Sequence, residues 1–306
     1  MSFGTVINFC SNDYPFLRHC IDAVKPVCEQ IVIPVCDHFF DGKKEDRDVL
    51  ERIYAENLDV EFVEFPFDKD KSFYGSHSSV HWHNLARMIG QFFLKKEIQY
   101  ILFLDCDEIV ESARFAEWQR TFPYWEYEAL LLGCYWYFRE SFLQAKTWED
   151  TPLLVKREFI DGPLLMNPWE RGGIYEHLQG SKQRKVLGLD AKPLFHHYSW
   201  VRTKEQMIRK VTAWSHHRER DWKAQVEEEF SHPFNGIDFV HGYEFIEVSP
   251  HVSIDLSKRP KGTDEYDFSR VRKLTHQQVM QIDICSHFQI PTKGLSLGRQ
   301  EIERNF

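Results

Sequence analysis

The chain has 306 residues, of which 42% are hydrophobic and 28% charged, and these ordinary globular values exclude disorder as its main state. Its 38 basic and 47 acidic residues give a net charge of −9 with histidine neutral, which argues against nucleic acid as a partner. The apolar runs are shorter than the roughly 20 residues that cross a bilayer, and the first residues lack signal-peptide features. We therefore expect a cytoplasmic protein without a transmembrane segment, with peripheral membrane contact left open.

The first half of the chain alternates between strand-like and helix-like segments. The predicted strands are Thr5–Phe9, Ile31–Val35, Val60–Phe65 and Tyr100–Leu104. One predicted helix begins after Asp13, and two more span Asp46–Asn57 and Ser79–Lys95. This alternation predicts an α/β fold, with a mostly parallel central sheet flanked by helices.

The second half is less regular. A long apolar strand is predicted at Glu128–Phe138, followed by an irregular region over residues 148–180 where loops would build a binding surface. Regularity returns with a strand at Leu194–Trp200 and a helix opened by Thr203, and a last helix is predicted at Asp267–Asp283. We divide the chain into a main domain, residues 1–243, and a C-terminal extension of unknown role, residues 244–306.

The most specific motif is Asp105-Cys106-Asp107-Glu108, which directly follows the apolar strand Tyr100–Leu104. Ligands of open α/β sheets bind at the carboxyl ends of the strands. Side chains at positions i and i+2 of an extended backbone point the same way, so Asp105 and Asp107 can bind one hard divalent cation, which would relieve their mutual repulsion. The alternative is that they cap the next helix or pair with surface lysines.

With this motif the sequence resembles glycosyltransferases of the GT-A fold, similar to family 2, over about residues 5–215. The matching segments are Val6-Ile7-Asn8-Phe9 leading into Ser11-Asn12-Asp13, Ile31–Val35 ending near Asp37, Asn84 and Arg87 on a helix, and the Asp105/Asp107 pair. The resemblance implies a sugar transfer from a nucleoside-diphosphate donor to a hydroxyl acceptor such as a bacterial surface glycan or its lipid-linked precursor. It also implies Mn²⁺ or Mg²⁺ as cofactor.

The resemblance assigns roles to individual residues. Asn12 and Asp13 would lie near the nucleotide, and Asp37 would contact the base or the ribose. Arg87 would help to bind the donor. Asp105 would bind the sugar nucleotide and the metal, and Asp107 would bind the metal on the diphosphate.

Two later segments extend the resemblance. Phe195-His196-His197-Tyr198 is similar to the segment in which many GT-A enzymes supply a histidine to the metal, which implies His197 as a ligand and places His196 on the opposite side of the strand. The segment around Glu176 is similar to one in family 2 transferases that act on lipopolysaccharide cores, and implies Glu176 as catalytic base. Glu170, beside Trp169, is the second candidate, and for either glutamate the alternative is a salt bridge in a loop.

Two other function classes remain open. A phosphatase of the haloacid dehalogenase type also places Asp-x-Asp after a strand, but on the first strand of its domain, whereas here the motif follows about a hundred residues of β/α structure. A protein with the same fold could also bind a sugar nucleotide or glycan without turnover. The intact carboxylate pair and the acidic candidate bases favour the enzyme.

Overall fold

The computed structural model of the protein describes residues 1–68, 78–178, 185–214, 216–217, 219–263 and 266–287. The strands in these ranges are β1 (Phe3–Asn8), β2 (Gln30–Cys36), β3 (Glu61–Phe65), β4 (Tyr100–Asp105), β5 (Glu108–Val110), β6 (Ala129–Phe138), β7 (Glu140–Lys156), β8 (Lys185–Val186), β9 (Phe195–Trp200), β10 (Phe245–Glu247) and β11 (Arg272–Lys273). The α-helices are α1 (Tyr14–Val24), α2 (Arg47–Glu56), α3 (Ser78–Phe93), α4 (Ser112–Thr121), α5 (Gly162–Leu165), α6 (Glu170–Leu178), α7 (Lys204–Ala213), α8 (Trp222–Glu229) and α9 (His276–His287).

All described strands belong to one mixed sheet whose first half is parallel. β1 lies between β2 and β4 and runs parallel to both, and β3 is parallel to β2. β7 is antiparallel to β4 and to β6, so β6 and the parallel neighbour β9 run in the same direction as β4. The carboxyl ends of β1, β2, β4, β6 and β9 therefore meet at one edge, and the predicted α/β class is confirmed.

Helices cover both faces of the sheet. On β1, Ile7 packs into the core beneath α1 and α4, while its neighbour Val6 packs into the core beneath α3 and α6. Gly90 of α3 lies so close to β1 that a Cβ there would be 2.3 Å from a Val6 methyl carbon. Local signals fix the helix ends, because Asp46 caps α2 and Thr203 with Gln206 forms a capping box on α7.

Several elements differ from the sequence prediction. The long strand β7 and the helices α5 and α6 occupy most of the region expected to be irregular, of which residues 179–180 lie outside the described ranges. The last helix begins at His276 because Thr275 and Gln278 form reciprocal hydrogen bonds at its start.

The described part of the C-terminal extension packs onto the main sheet. β10 pairs with β7, and β11 adds to the sheet beside β3. Within the described ranges, no helix combines the length and the apolar character needed to cross a membrane.

Candidate active site

A cavity of about 410 Å³ opens at the carboxyl edge of the sheet, a size typical of small-molecule sites, which span roughly 300–1,000 Å³. The strand order sets its layout. One end, the β1–β2 end, is formed where those two strands finish, and the other, the tryptophan end, contains Trp136, Trp200, Trp214 and Trp222. Most of the predicted site residues line the cavity: Asn12, Asp13, Asp105, Asp107, Glu170 and His197.

Asp105, the last residue of β4, is surrounded by cationic groups. Its Oδ2 lies 2.9 Å from Arg171 Nη2, and its Oδ1 lies 3.3 Å from His83 Nε2 and 3.4 Å from Arg87 Nη2. Burial raises the pKa of Asp105, but the charges of these three residues outweigh it and hold the pKa well below its usual range. Both carboxylate oxygens are thus already paired.

Two cationic side chains lie near one carboxylate oxygen of Asp107, and His197 lies near the other. Its Oδ2 lies 3.1 Å from Arg202 Nη2 and 3.6 Å from Lys210 Nζ, while its Oδ1 lies 3.4 Å from His197 Nε2. Burial raises the pKa of Asp107, yet Lys210, His197 and Arg202 together hold it below its usual range. Arg202 also binds Asp13 Oδ1 at 2.5 Å and so ties the turn after β1 to the Asp-x-Asp motif.

The pair of Asp107 and His197 fits a divalent cation. An imidazole nitrogen and a carboxylate oxygen 3.4 Å apart, both lining the cavity, suit Mn²⁺ or Mg²⁺ as two neighbouring ligands. Arg202 and Lys210 hold the other oxygen of Asp107, an arrangement that orients the ligand. Asp105 fits less well as a ligand, because Arg171 and two further cationic side chains occupy its oxygens.

His196 faces away from this pair, as strand alternation predicts. Its Nδ1 lies 2.7 Å from Tyr137 Oη and its Nε2 lies 3.1 Å from Glu111 Oε1. In the described ranges, the one group of three potential metal ligands within 4.8 Å of one another is Glu111, His196 and His251.

Glu108 stabilises the Asp-x-Asp motif through ion pairs and hydrogen bonds at the end of β4. Its side chain is completely buried, and Arg171 holds it through two contacts, Nη1 to Oε2 at 2.6 Å and Nη2 to Oε1 at 3.0 Å. Thr151 Oγ1 donates to Glu108 Oε1 at 2.5 Å, and the backbone N–H of Asp105 donates to Oε2 at 2.8 Å. Glu108 and Arg171 therefore fix the backbone at the end of β4, a role the sequence analysis did not identify.

The two candidate bases lie in different places. Glu176 is exposed on α6 and is not among the cavity residues, whereas Glu170, at the start of the same helix, lines the cavity. Glu170 Oε2 lies 2.9 Å from His83 Nδ1 and 3.3 Å from both terminal nitrogens of Arg87, while its buried Oε1 has no hydrogen-bond partner in the described structure. The preferred assignment of Glu176 is therefore not supported by its position, because α6 carries it away from the cavity.

Arg87 is buried behind the cavity wall and is not part of the cavity lining. It bridges Glu170 and Asp105, with a further hydrogen bond from Nη1 to Asn84 Oδ1 at 3.1 Å. Burial and Arg87 lower the pKa of His83, but Glu170 and Asp105 outweigh them and raise it above its ordinary value. His83 and Arg87 together connect the candidate base to the Asp-x-Asp motif.

The β1–β2 end contains two of the three predicted nucleotide residues. Asn12 and Asp13 line the cavity, and Asn12 Oδ1 accepts a hydrogen bond from Arg209 Nη1 at 3.3 Å. Asp37 does not line the cavity, because its Oδ1 is bound by the Phe67 backbone N–H at 2.6 Å and lies 2.6 Å from His38 Nδ1. His38, next in the chain, lines the cavity in its place.

No family model and no curated protein matches the sequence. Among solved structures, the chain is similar to S. aureus TarS, with 9% identity over 76% of this chain and 73% of that chain and a TM-score of 0.40. It is similar to the catalytic domain of Drosophila β1,4-galactosyltransferase 7 in complex with xylobiose, with 12% identity, coverage of 85% and 97%, and a TM-score of 0.36. A third match is glucosyl-3-phosphoglycerate synthase from Mycobacterium tuberculosis with Mn²⁺, UDP and phosphoglyceric acid, with 11% identity, coverage of 85% and 89%, and a TM-score of 0.35. At this level of similarity, a functional assignment depends on the geometry of the site itself.

Proposed function

We propose that the protein is a metal-dependent glycosyltransferase that moves a sugar from a nucleoside-diphosphate donor to a hydroxyl acceptor. The observation that carries the proposal is the arrangement at the carboxyl edge of the sheet. There a carboxylate–imidazole pair, Asp107 and His197, shares one cavity with the half-buried Glu170, whose Oε1 is buried and has no hydrogen-bond partner among the described residues.

The donor fits the β1–β2 end of the cavity and its centre. At that end, Asn12 and Asp13 offer polar contacts to a nucleoside, and the aromatic side chains of Phe39 and Phe40 can pack against a base. Lys210 lies beside Asp107, where its ammonium can bind a diphosphate.

Asp107 and His197 would hold the metal, which, when bound, stabilises the negative charge of the departing diphosphate. In the transfer step itself, the participating side chain is that of Glu170. The acceptor hydroxyl oxygen bonds to the anomeric carbon, the bond from that carbon to the diphosphate oxygen breaks, and the hydroxyl proton passes to Glu170 Oε1. Because His83 and Arg87 hold the pKa of Glu170 below its usual range, against the effect of burial, the carboxylate is ionised at neutral pH, which is the state that a proton acceptor needs.

The first experiment measures the thermal stability of the protein with UDP, GDP, CDP and ADP, each with Mn²⁺ and with EDTA. A nucleotide at a hundred times its dissociation constant should stabilise the protein by about 2.7 kcal/mol. We expect one nucleotide to stabilise the protein with Mn²⁺ and to lose the effect with EDTA. If no nucleotide raises the unfolding temperature in the presence of Mn²⁺, the proposed function is wrong.

Turnover separates an enzyme from a binding protein. The nucleoside-diphosphate sugar that corresponds to the stabilising nucleotide should release free nucleoside diphosphate when it is incubated with the protein, Mn²⁺ and a mixture of glycan acceptors. Tight binding of the donor without release across that mixture would favour a non-catalytic sugar-nucleotide binder.

A further inference from the structure

The tryptophan end of the cavity has features that the donor site does not use. Trp136 is 4% exposed and lines the cavity, and its ring lies 5.0 Å from that of His197 at a right angle. Since His197 belongs to the proposed metal pair, a molecule held against Trp136 lies next to the reacting centre. The tryptophan end lies beyond the Asp-x-Asp motif as seen from the β1–β2 end, because β6 and β9 lie on the far side of β4 in the sheet.

Two donors at this end are unused. The indole N–H groups of Trp136 and Trp214 are both buried, and in the described part of the chain neither has a hydrogen-bond partner. A buried donor without a partner is unfavourable, and Trp136 and Trp214 both line the cavity, where a bound molecule can supply the missing acceptors.

The other side chains of this end are mixed in character. Trp200 and Trp222 add aromatic surface, with ring centres 6.0 Å apart. Glu149 and His241 also line the cavity, and Glu149 Oε1 accepts a hydrogen bond from Tyr243 Oη at 3.2 Å. An acyl chain would leave the two indole donors without hydrogen bonds. A sugar ring can satisfy both, because its hydroxyls accept hydrogen bonds while its C–H faces pack on aromatic rings.

We propose that the tryptophan end is the acceptor subsite and that it takes a saccharide, whose hydroxyls accept hydrogen bonds from the indole N–H groups of Trp136 and Trp214. This inference rests on the proposed function, because it names the acceptor class of the same site. It adds Trp136 and Trp214 as specificity-determining residues.

Nuclear magnetic resonance of the indole N–H groups tests this directly. Protein labelled with [¹⁵N]tryptophan is titrated with a panel of methyl pyranosides and with cellobiose, and the Trp136 and Trp214 signals are assigned from Trp136→Phe and Trp214→Phe. We expect at least one saccharide to shift both signals. The signal of Trp125, which is 41% exposed and outside the cavity, should stay in place and serves as the matched control.

Trp136→Phe keeps an aromatic ring and removes one hydrogen-bond donor. Saccharide binding, followed through the Trp214 signal, should weaken about three- to tenfold, the size of one neutral hydrogen bond, while Trp125→Phe leaves it unchanged. The inference is overturned if no saccharide of the panel shifts either signal at high millimolar concentration, or if glycerol shifts them equally. It is also overturned if Trp136→Phe binds as tightly as the wild type.

The outcome is separable from that of the proposed function. If a saccharide shifts the indole signals but no nucleotide stabilises the protein, the cavity is a carbohydrate-binding site and the proposed transferase function is wrong. If a nucleotide stabilises the protein in the presence of Mn²⁺ but no saccharide shifts the indole signals, the donor site stands and the saccharide acceptor subsite is wrong.

Discussion

Replacing Arg171 by methionine should destabilise the protein more than most single substitutions. Its guanidinium forms two contacts with the completely buried Glu108 and one with Asp105, at distances between 2.6 and 3.0 Å. Arg171 is the only ion-pair partner of Glu108 among the described residues. Methionine fills much of the same space but leaves the Glu108 carboxylate buried without a counter-charge.

Removing one partner of a buried ion pair costs about 3–5 kcal/mol. Glu108→Gln alone should cost less, because Arg171 keeps its contact with Asp105 and the amide oxygen still accepts one hydrogen bond. The double variant Arg171→Met/Glu108→Gln no longer buries an unpaired charge at position 108. The two substitutions should therefore couple by about 2 kcal/mol or more, near the upper end of measured pairwise couplings.

Urea unfolding of the four proteins, followed by circular dichroism, gives the cycle. We expect the double variant to be more stable than Arg171→Met, and this comparison stays informative if Arg171→Met unfolds without urea. A loss below about 1 kcal/mol for Arg171→Met, or a double variant no more stable than the single one, would refute the reasoning that Arg171 neutralises Glu108.

Three further predictions use other parts of the chain. Glu170→Gln should lower turnover by about two to four orders of magnitude with donor binding retained, while the exposed Glu176→Gln serves as control; equal turnover of the two variants would exclude Glu170 as base. Burial raises the pKa of Glu45 to about 7, so the stability it contributes is complete below about pH 4.5 and falls by about 3 kcal/mol as pH rises through 7. Urea midpoints of Glu45→Gln should lack this decline, and a wild-type curve parallel to that of the variant would contradict it. Gly90→Ala should cost about 1–3 kcal/mol in the same assay because of the clash with Val6, and unchanged stability would show that α3 moves freely away from β1.

Local sequence patterns predicted the parts of the site that depend on one strand. β4 is a short apolar run, so its end, and with it Asp105, could be placed at the carboxyl edge of the sheet. The alternation of β9 predicted that His196 and His197 face opposite ways, and the structure confirms this through Glu111 and Asp107.

The partners of these residues could not be read from the sequence. Arg171 and Arg202 meet the Asp-x-Asp motif from 63 or more positions away, and such pairings depend on how the sheet and helices pack. Which of Glu170 and Glu176 lines the cavity depends on the direction of α6, which periodicity does not reveal. β7 was missed because most of its first twelve residues are polar or solvent-accessible, and its continuous buried run is confined to residues 152–155.

If Asp107 and His197 hold a divalent metal for the nucleotide, as we propose, electron paramagnetic resonance of free Mn²⁺ will detect its binding. Adding the protein together with the stabilising nucleotide should remove the free Mn²⁺ signal beyond the loss caused by the nucleotide alone. Asp107→Asn and His197→Gln should abolish this additional loss, whereas His196→Gln, on the opposite face of the strand, should keep it. An equal loss of signal in the wild type and in Asp107→Asn would show that Asp107 is not a metal ligand.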